Sequence, residues 1–186
     1  YRDGRKMKSL KVIKMQRNSK DCIICGFDNP LGLKAKFYEL EDGSVGTIVK
    51  FKNEHQSYPT RTHGGMVSAL LDELMGRVIW VNEPQTFGVT TTLNITYRKP
   101  VPLETPVKAR GYLIFESARG MSAKGQIFDM DDNLLAEGNC KYFKLPFEKV
   151  FGENTNMHEE LCYLPEIDIE QMDWSEEDDA VSDQLL

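Results

Sequence analysis

At 186 residues, with 40% hydrophobic and 28% charged residues, the chain has room for one domain with a full core plus extensions. No apolar run reaches the length of a membrane span and the first residues lack the apolar core of a secretory signal, so a cytoplasmic protein with no membrane partner is expected. The net charge of −6 conceals a polarity: residues 1–20 hold eight Lys/Arg against Asp3, residues 153–186 hold twelve Asp/Glu and no Lys/Arg, and the stretch between them is near neutral.

In residues 1–20 the basic positions are mixed with Met7, Leu10, Val12, Ile13 and Met15, compatible with a short amphipathic helix. A basic arm signals nucleic acid only with interleaved aromatics or a companion motif, and neither is present beyond Tyr1, so a nucleic-acid partner is disfavoured and the acidic tail is the rival partner. Cys22-x-x-Cys25-Gly26 offers two thiols without the second pair a structural zinc site needs, and no βαβ context supports a redox site; a packed loop with no metal is the reading. With Cys140 and Cys162 added, the four cysteines do not suit a disulfide scaffold at this size. Residues 35–40, Asp42-Gly43 and residues 44–52 read as a β-hairpin, Asp-Gly supplying the positive φ of the turn.

Thr62 is placed as the N-cap of the central helix. Val67, Leu70, Leu71, Leu74, Val78 and Val81 recur at helical spacing and mark a buried face, and at about 100° per residue Asp72 falls on its flank. At the helix start, His63-Gly64-Gly65 exposes backbone N–H groups at the positive end of the helix dipole, a site for a developing anion. A tight turn followed by a solvated Asp72-Glu73 flank fits the same letters. Residues 86–97 read as a strand with Val89, Thr91, Leu93, Ile95 and Tyr97 on one face and Thr90, Thr92, Asn94 and Thr96 on the other; the polar face meets solvent, a ligand or a second subunit. Residues 107–117, 120–130 and 134–145 then form a meander. An antiparallel sheet wrapped around one long helix buries that helix, an α+β fold.

The His63-Gly64-Gly65 triplet followed by Asp72, the approach Gln56-Ser57-Tyr58-Pro59, and Gly88-Val89-Thr90 with Leu93 to Tyr97 resemble the PaaI-type hotdog-fold acyl-CoA thioesterases. The Cys22-x-x-Cys25-Gly26 loop before Asn29-Pro30-Leu31-Gly32-Leu33 is also similar to relatives of that family. The resemblance covers roughly residues 22–145 and neither tail, which sets a hotdog domain over 21–151 between a basic extension over 1–20 and an acidic extension over 152–186 read from their charge. The apolar residues of that last stretch through Trp174 suit packing on the domain, and 175–186 reads as disordered.

The resemblance implies hydrolysis of an acyl-CoA thioester in a homodimer or dimer of dimers, with coenzyme A as part of the substrate and no other cofactor. It places Asp72 as nucleophile or general base, Gly64 as the oxyanion donor and Thr90 as holder of the water from the partner subunit; His63 is a candidate general base whose position at the very start of the helix favours a positioning or capping role. Gly65, Ser57, Arg98 and Lys99 are the substrate-binding candidates, with Arg110 and Arg119 as further cations for the coenzyme phosphates. Glu73 is turned about 100° from Asp72, so its exchange is expected to be mild. A non-catalytic acyl-CoA-binding module and a hotdog dehydratase or hydratase are the alternatives.

Overall fold

The computed structural model describes residues 6–151, 156–162 and 167–175. Its strands are Met7–Met15 (β1), Asn18–Ser19 (β2), Tyr38–Leu40 (β3), Val45–Lys50 (β4), Thr86–Tyr97 (β5), Pro106–Glu116 (β6), Gly120–Asp129 (β7), Leu134–Pro146 (β8), Leu161–Cys162 (β9) and Gln171–Ser175 (β10). Eight of them form one sheet in the order β10-β1-β3-β4-β6-β7-β8-β5, every described pairing antiparallel, and β2 pairs β9 apart from it. The main helix, Gly64–Gly76 (α1), packs against this sheet, as the element order predicts.

Val67, Leu70, Leu71, Leu74 and Met75 are the buried residues of α1. They rest on a row of glycines: Gly111 of β6 faces Gly125 of β7, which faces Gly138 of β8. A Cβ on Gly125 would lie 2.9 Å from Met75 Cγ and 3.0 Å from Leu71 Cδ2, so the missing side chains let the helix settle close to the strands. The helix passes directly into a 3₁₀ turn over Arg77–Val81, ending before Pro84 as the sequence suggests. Its N-cap is His63 rather than Thr62: His63 Nδ1 accepts the Gly65 N–H, whereas the Thr62 hydroxyl donates to Pro102 O at 3.1 Å and ties the preceding loop down.

The expected hairpin is present as β3 and β4, with φ of +82° at Gly43. The expected helix within residues 1–20 is not: Met7–Met15 is a strand. Leu10 and Val12, two residues apart, are its buried positions, and the open edge of β3 on one side and β10 on the other satisfy its backbone. Pairing thus joins the basic and acidic segments, with Trp174 of β10 fully buried against Phe128 at a centroid distance of 6.0 Å. Ser175 ends β10 and is buried, while 176–186 lie outside the described residues.

Asp168 accepts bonds from Tyr38 OH and the Lys36 ammonium, which hold its carboxyl below the usual carboxylate range. Burial pushes the Asp42 carboxyl up, but the Ser44 hydroxyl and the Arg110 guanidinium outweigh it and keep that group low as well. A carboxylate whose folded value is depressed stabilises fully above its unfolded value, ordinarily 3.8, and loses that contribution as pH falls through the folded value. The melting temperature is therefore expected to be flat from pH 7 to about pH 5 and to decline below about pH 4. A decline starting above pH 6 would contradict this assignment.

Candidate functional site

Asp72 lies half-buried on the flank of α1, and β5 and β8 bring three donors to one of its carboxylate oxygens. Thr90 Oγ1 donates to Oδ1 at 2.8 Å, Tyr142 OH stands 3.3 Å from it, and Cys140 Sγ 3.6 Å. Tyr142 OH also donates to the Asp72 carbonyl at 2.7 Å, fixing the backbone under the carboxylate. Burial first, with the Asp72 charge assisting, pushes the Cys140 thiol up to about 12 and the Tyr142 phenol upward as well. Both groups stay protonated as donors at neutral pH. Among the described residues Oδ2 has no bonded partner, so one oxygen is anchored and the other is available.

Thr90 reaches Asp72 because of a bulge. The β5–β8 register shifts between Thr90 and Thr92, so the single alternation expected for residues 86–97 breaks at Thr91. Thr90 before the shift and Leu93, Ile95 and Tyr97 after it all meet the helix or the core, while Val89 is 42% exposed. Thr90 bonds Asp72 of its own chain, where the family resemblance implies a threonine supplied by the partner. Cys140 and Tyr142 escaped the sequence reading. Their signal is the alternation of β8, which puts both on one face of that strand, Tyr142 paired across from Thr90 and Cys140 across from Leu93.

At the other end of α1, the Gly65 N–H is occupied by His63 Nδ1 at 2.9 Å, so the neutral ring carries its proton on Nε2. Among the described residues no acceptor is paired with the Gly64 N–H, which leaves that group to a ligand. Tyr97 OH donates to Gly64 O at 2.9 Å and lies 2.6 Å from Ser68 Oγ, closing the end of β5 on this terminus. Neither described histidine ring stands at Asp72. His63 caps the helix, and His55 is buried with Nε2 on Leu31 O at 2.8 Å and Nδ1 taking the Lys52 N–H.

The substrate-binding candidates scatter. Ser57 is exposed on the loop closed by the Gln56–Thr62 bridge. Arg98 sits at the end of β5 with its guanidinium on Glu137 at 2.8 Å, and Lys99 beside it is exposed. Arg110 cannot grip a phosphate: it is 1% exposed and paired with Asp42 beneath Trp174. Glu73 is not a solvated neighbour of Asp72. Its Oε1 receives both Nε (3.0 Å) and Nη2 (2.8 Å) of Arg77, and its Oε2 lies 3.0 Å from Cys22 Sγ. Asp72 and Thr90 open on a pocket of about 380 Å³ whose apolar lining includes Trp80, Phe87, Phe151 and Leu161.

Residues 61–136 match the family described as the thioesterase superfamily. The mouse protein acyl-coenzyme A thioesterase THEM4 is 28% identical over 125 residues, which span 66% of this chain and 53% of that protein. A thioesterase superfamily protein of known crystal structure superposes with a TM-score of 0.62 at 26% identity, over 67% of this chain and 60% of its own. A hypothetical thioesterase from Streptococcus pneumoniae TIGR4, solved with coenzyme A, gives a TM-score of 0.55 at 20% identity over 60% and 86% of the two chains, a likeness of fold. The chain spans about half the length of the mouse relative. The resemblance to the hotdog thioesterases is thus present in both sequence and fold, and the sheet around α1 is the hotdog fold. No helix among the described residues is long and apolar enough to cross a membrane.

Proposed function

We propose that the chain hydrolyses an acyl-CoA thioester to the free acid and coenzyme A, with Asp72 as the reacting carboxylate. The observation that carries this reading is the asymmetry at Asp72: Oδ1 is held by Thr90, Tyr142 and Cys140, while Oδ2 has no bonded partner among the described residues, and the side chain lines an apolar pocket. A carboxylate fixed by one oxygen keeps the other aligned for attack or for taking a proton from water. In the general-base form, Oδ2 takes the water proton, the oxygen adds to the thioester carbonyl, and collapse of the tetrahedral intermediate expels the thiolate, which is protonated. The relatives' acyl-CoA and coenzyme A associations support this choice of substrate.

The oxyanion donor comes from a second copy. Gly64 and Asp72 are eight residues apart on one helix, about 12 Å along its axis, too far for both to touch one carbonyl. β5 is the terminal strand of the sheet, twelve residues long, and among the described residues no strand pairs with its outer edge. Tyr97 bonds Gly64 and Thr90 bonds Asp72, so two-fold pairing that sets Thr90 of one copy opposite Tyr97 of the other would bring the helix start of each to the carboxylate of its partner. Sedimentation is expected to give a dimer or a dimer of dimers, and a monomer with full turnover would contradict the shared site.

Release of free thiol from a panel of acyl-CoAs tests the function. Turnover of at least one member, lost in Asp72→Asn, is expected; a folded wild-type protein that binds the panel and hydrolyses none of it points to a binding module instead. Thr90→Val keeps the shape of the side chain but removes its bond to the Asp72 carboxylate. A bond to a charged group contributes about 1.5 kcal/mol or more, so kcat should fall about tenfold with little change in KM.

A further inference from the structure

The Cys22–Cys25 loop is bonded to the flank of α1, and its sulfurs meet a third group the sequence does not place beside them. Cys22 Sγ, Cys25 Sγ and an oxygen of Glu73 all lie within 4.8 Å of one another. We propose that these three side chains hold a divalent zinc ion, with a water from the adjoining pocket as fourth ligand. This site goes beyond the hydrolase reading and stands whether or not that reading holds.

The local chain is built to aim both sulfurs at one point. The Gly26 N–H returns to Cys22 O at 2.8 Å, so tightly that a Cβ on Gly26 would lie 2.3 Å from that oxygen. The Ile24 N–H then points at Cys22 Sγ and the Ser19 N–H at Cys25 Sγ, each at 3.3 Å. Backbone N–H groups directed at sulfur stabilise thiolates, the form that binds metal. Cys-x₂-Cys is also the spacing with which zinc sites take two sulfurs from one loop.

Glu73 is oriented as a metal-binding carboxylate is. Arg77 occupies Oε1 with two N–H groups and turns Oε2 toward the sulfurs. Arg77 is itself fixed, stacked 4.3 Å from the Phe37 ring centroid, 4.9 Å from that of Trp80, and donating to Arg17 O. Zn–S and Zn–O lengths of about 2.3 and 2.0 Å put the ligand atoms of a tetrahedral site roughly 3.5 Å apart, so small side-chain adjustments close the present arrangement. Two thiolates and the carboxylate, offset by Arg77, leave a charge of about −2, which a divalent cation neutralises. Two sulfurs with one oxygen favour zinc over magnesium or calcium. Cys22 and Cys25 line the same pocket as Asp72, which gives the fourth ligand its access.

The full-length chain, reduced and stripped with a chelator, is titrated with zinc alone, with metal content, proton release and the spectrum of the cobalt-substituted protein as readouts. About one zinc per chain is expected, with release of about two protons and thiolate-to-cobalt charge-transfer bands. Cys22→Ser and Cys25→Ser should each weaken zinc binding more than about 100-fold with unchanged circular dichroism, exceeding the usual effect of an outer-shell change. Cys140→Ser should leave zinc binding as it is. If Cys25→Ser fails to fold, half-buried Cys22 decides the matter. The proposal is overturned if the reduced chain takes up no zinc, or if Cys22→Ser binds it as tightly as wild type.

Discussion

Asp72→Asn is expected to lower kcat by about 10²–10⁴-fold while leaving KM nearly unchanged, because the carboxylate acts on the reacting atoms rather than in holding the substrate. The substitution is unusually clean. All three donors meet Oδ1, which an asparagine oxygen can replace, and the amide nitrogen takes the place of an oxygen with no bonded partner among the described residues. Stability should therefore change by less than about 1 kcal/mol. Steady-state kinetics beside a melting curve checks both halves. A folded Asp72→Asn protein with near wild-type turnover would remove the role from this residue.

The neighbouring substitution should behave in the opposite way. Glu73→Gln is expected to cost about 3 kcal/mol of stability, measured by denaturant titration, because it leaves the buried Arg77 guanidinium without its anion. The Arg77 side chain is 5% exposed and that of Glu73 19%, so little water is available to replace the lost charge. The folded fraction should keep kcat within about a few-fold of wild type, since Glu73 faces Arg77 and the cysteine loop rather than Thr90. A loss below about 0.5 kcal/mol would show the pair to be no more than a surface contact. The sequence expectation of a mild exchange is kept for turnover but not for stability, because helical spacing says which way Glu73 turns but not what waits there.

That difference runs through the whole molecule. The hairpin, the central helix and the meander were legible because each depends on local signals: Asp42-Gly43 at the turn, the apolar stripe from Val67, and alternation in the later strands. β1 was not, because Leu10 and Val12 gain their burial from strands distant in the chain, β10 among them, more than 150 residues away. The bulge at Thr91 was equally hidden, since it is a mismatch between two strands and leaves no mark in β5 itself. At the candidate site, Asp72, Thr90, Gly64 and His63 were singled out by spacing and family resemblance, and the structure brings the first two together. Cys140 and Tyr142 bear on Asp72 only through strand pairing, and the commitment of Gly65 to His63 needed the cap geometry.

The shared site is tested most directly by a heterodimer of two differently damaged chains. One carries Asp72→Asn and the other Gly64→Pro, and the mixed species is purified through a different tag on each chain. Proline suits the first residue of a helix and removes only the N–H there. The preceding His63, at φ −61° and ψ 133°, already has the extended backbone that a following proline requires. A Cβ at Gly64 would come no nearer than 3.4 Å to Tyr97, an ordinary contact. Each parent homodimer should lose about 10²-fold or more in kcat, the cost of a missing base or oxyanion donor. The heterodimer keeps one site with an intact Asp72 facing an intact Gly64, so it should recover about half of the wild-type rate per dimer. A heterodimer as inactive as its parents would contradict a site shared between two copies.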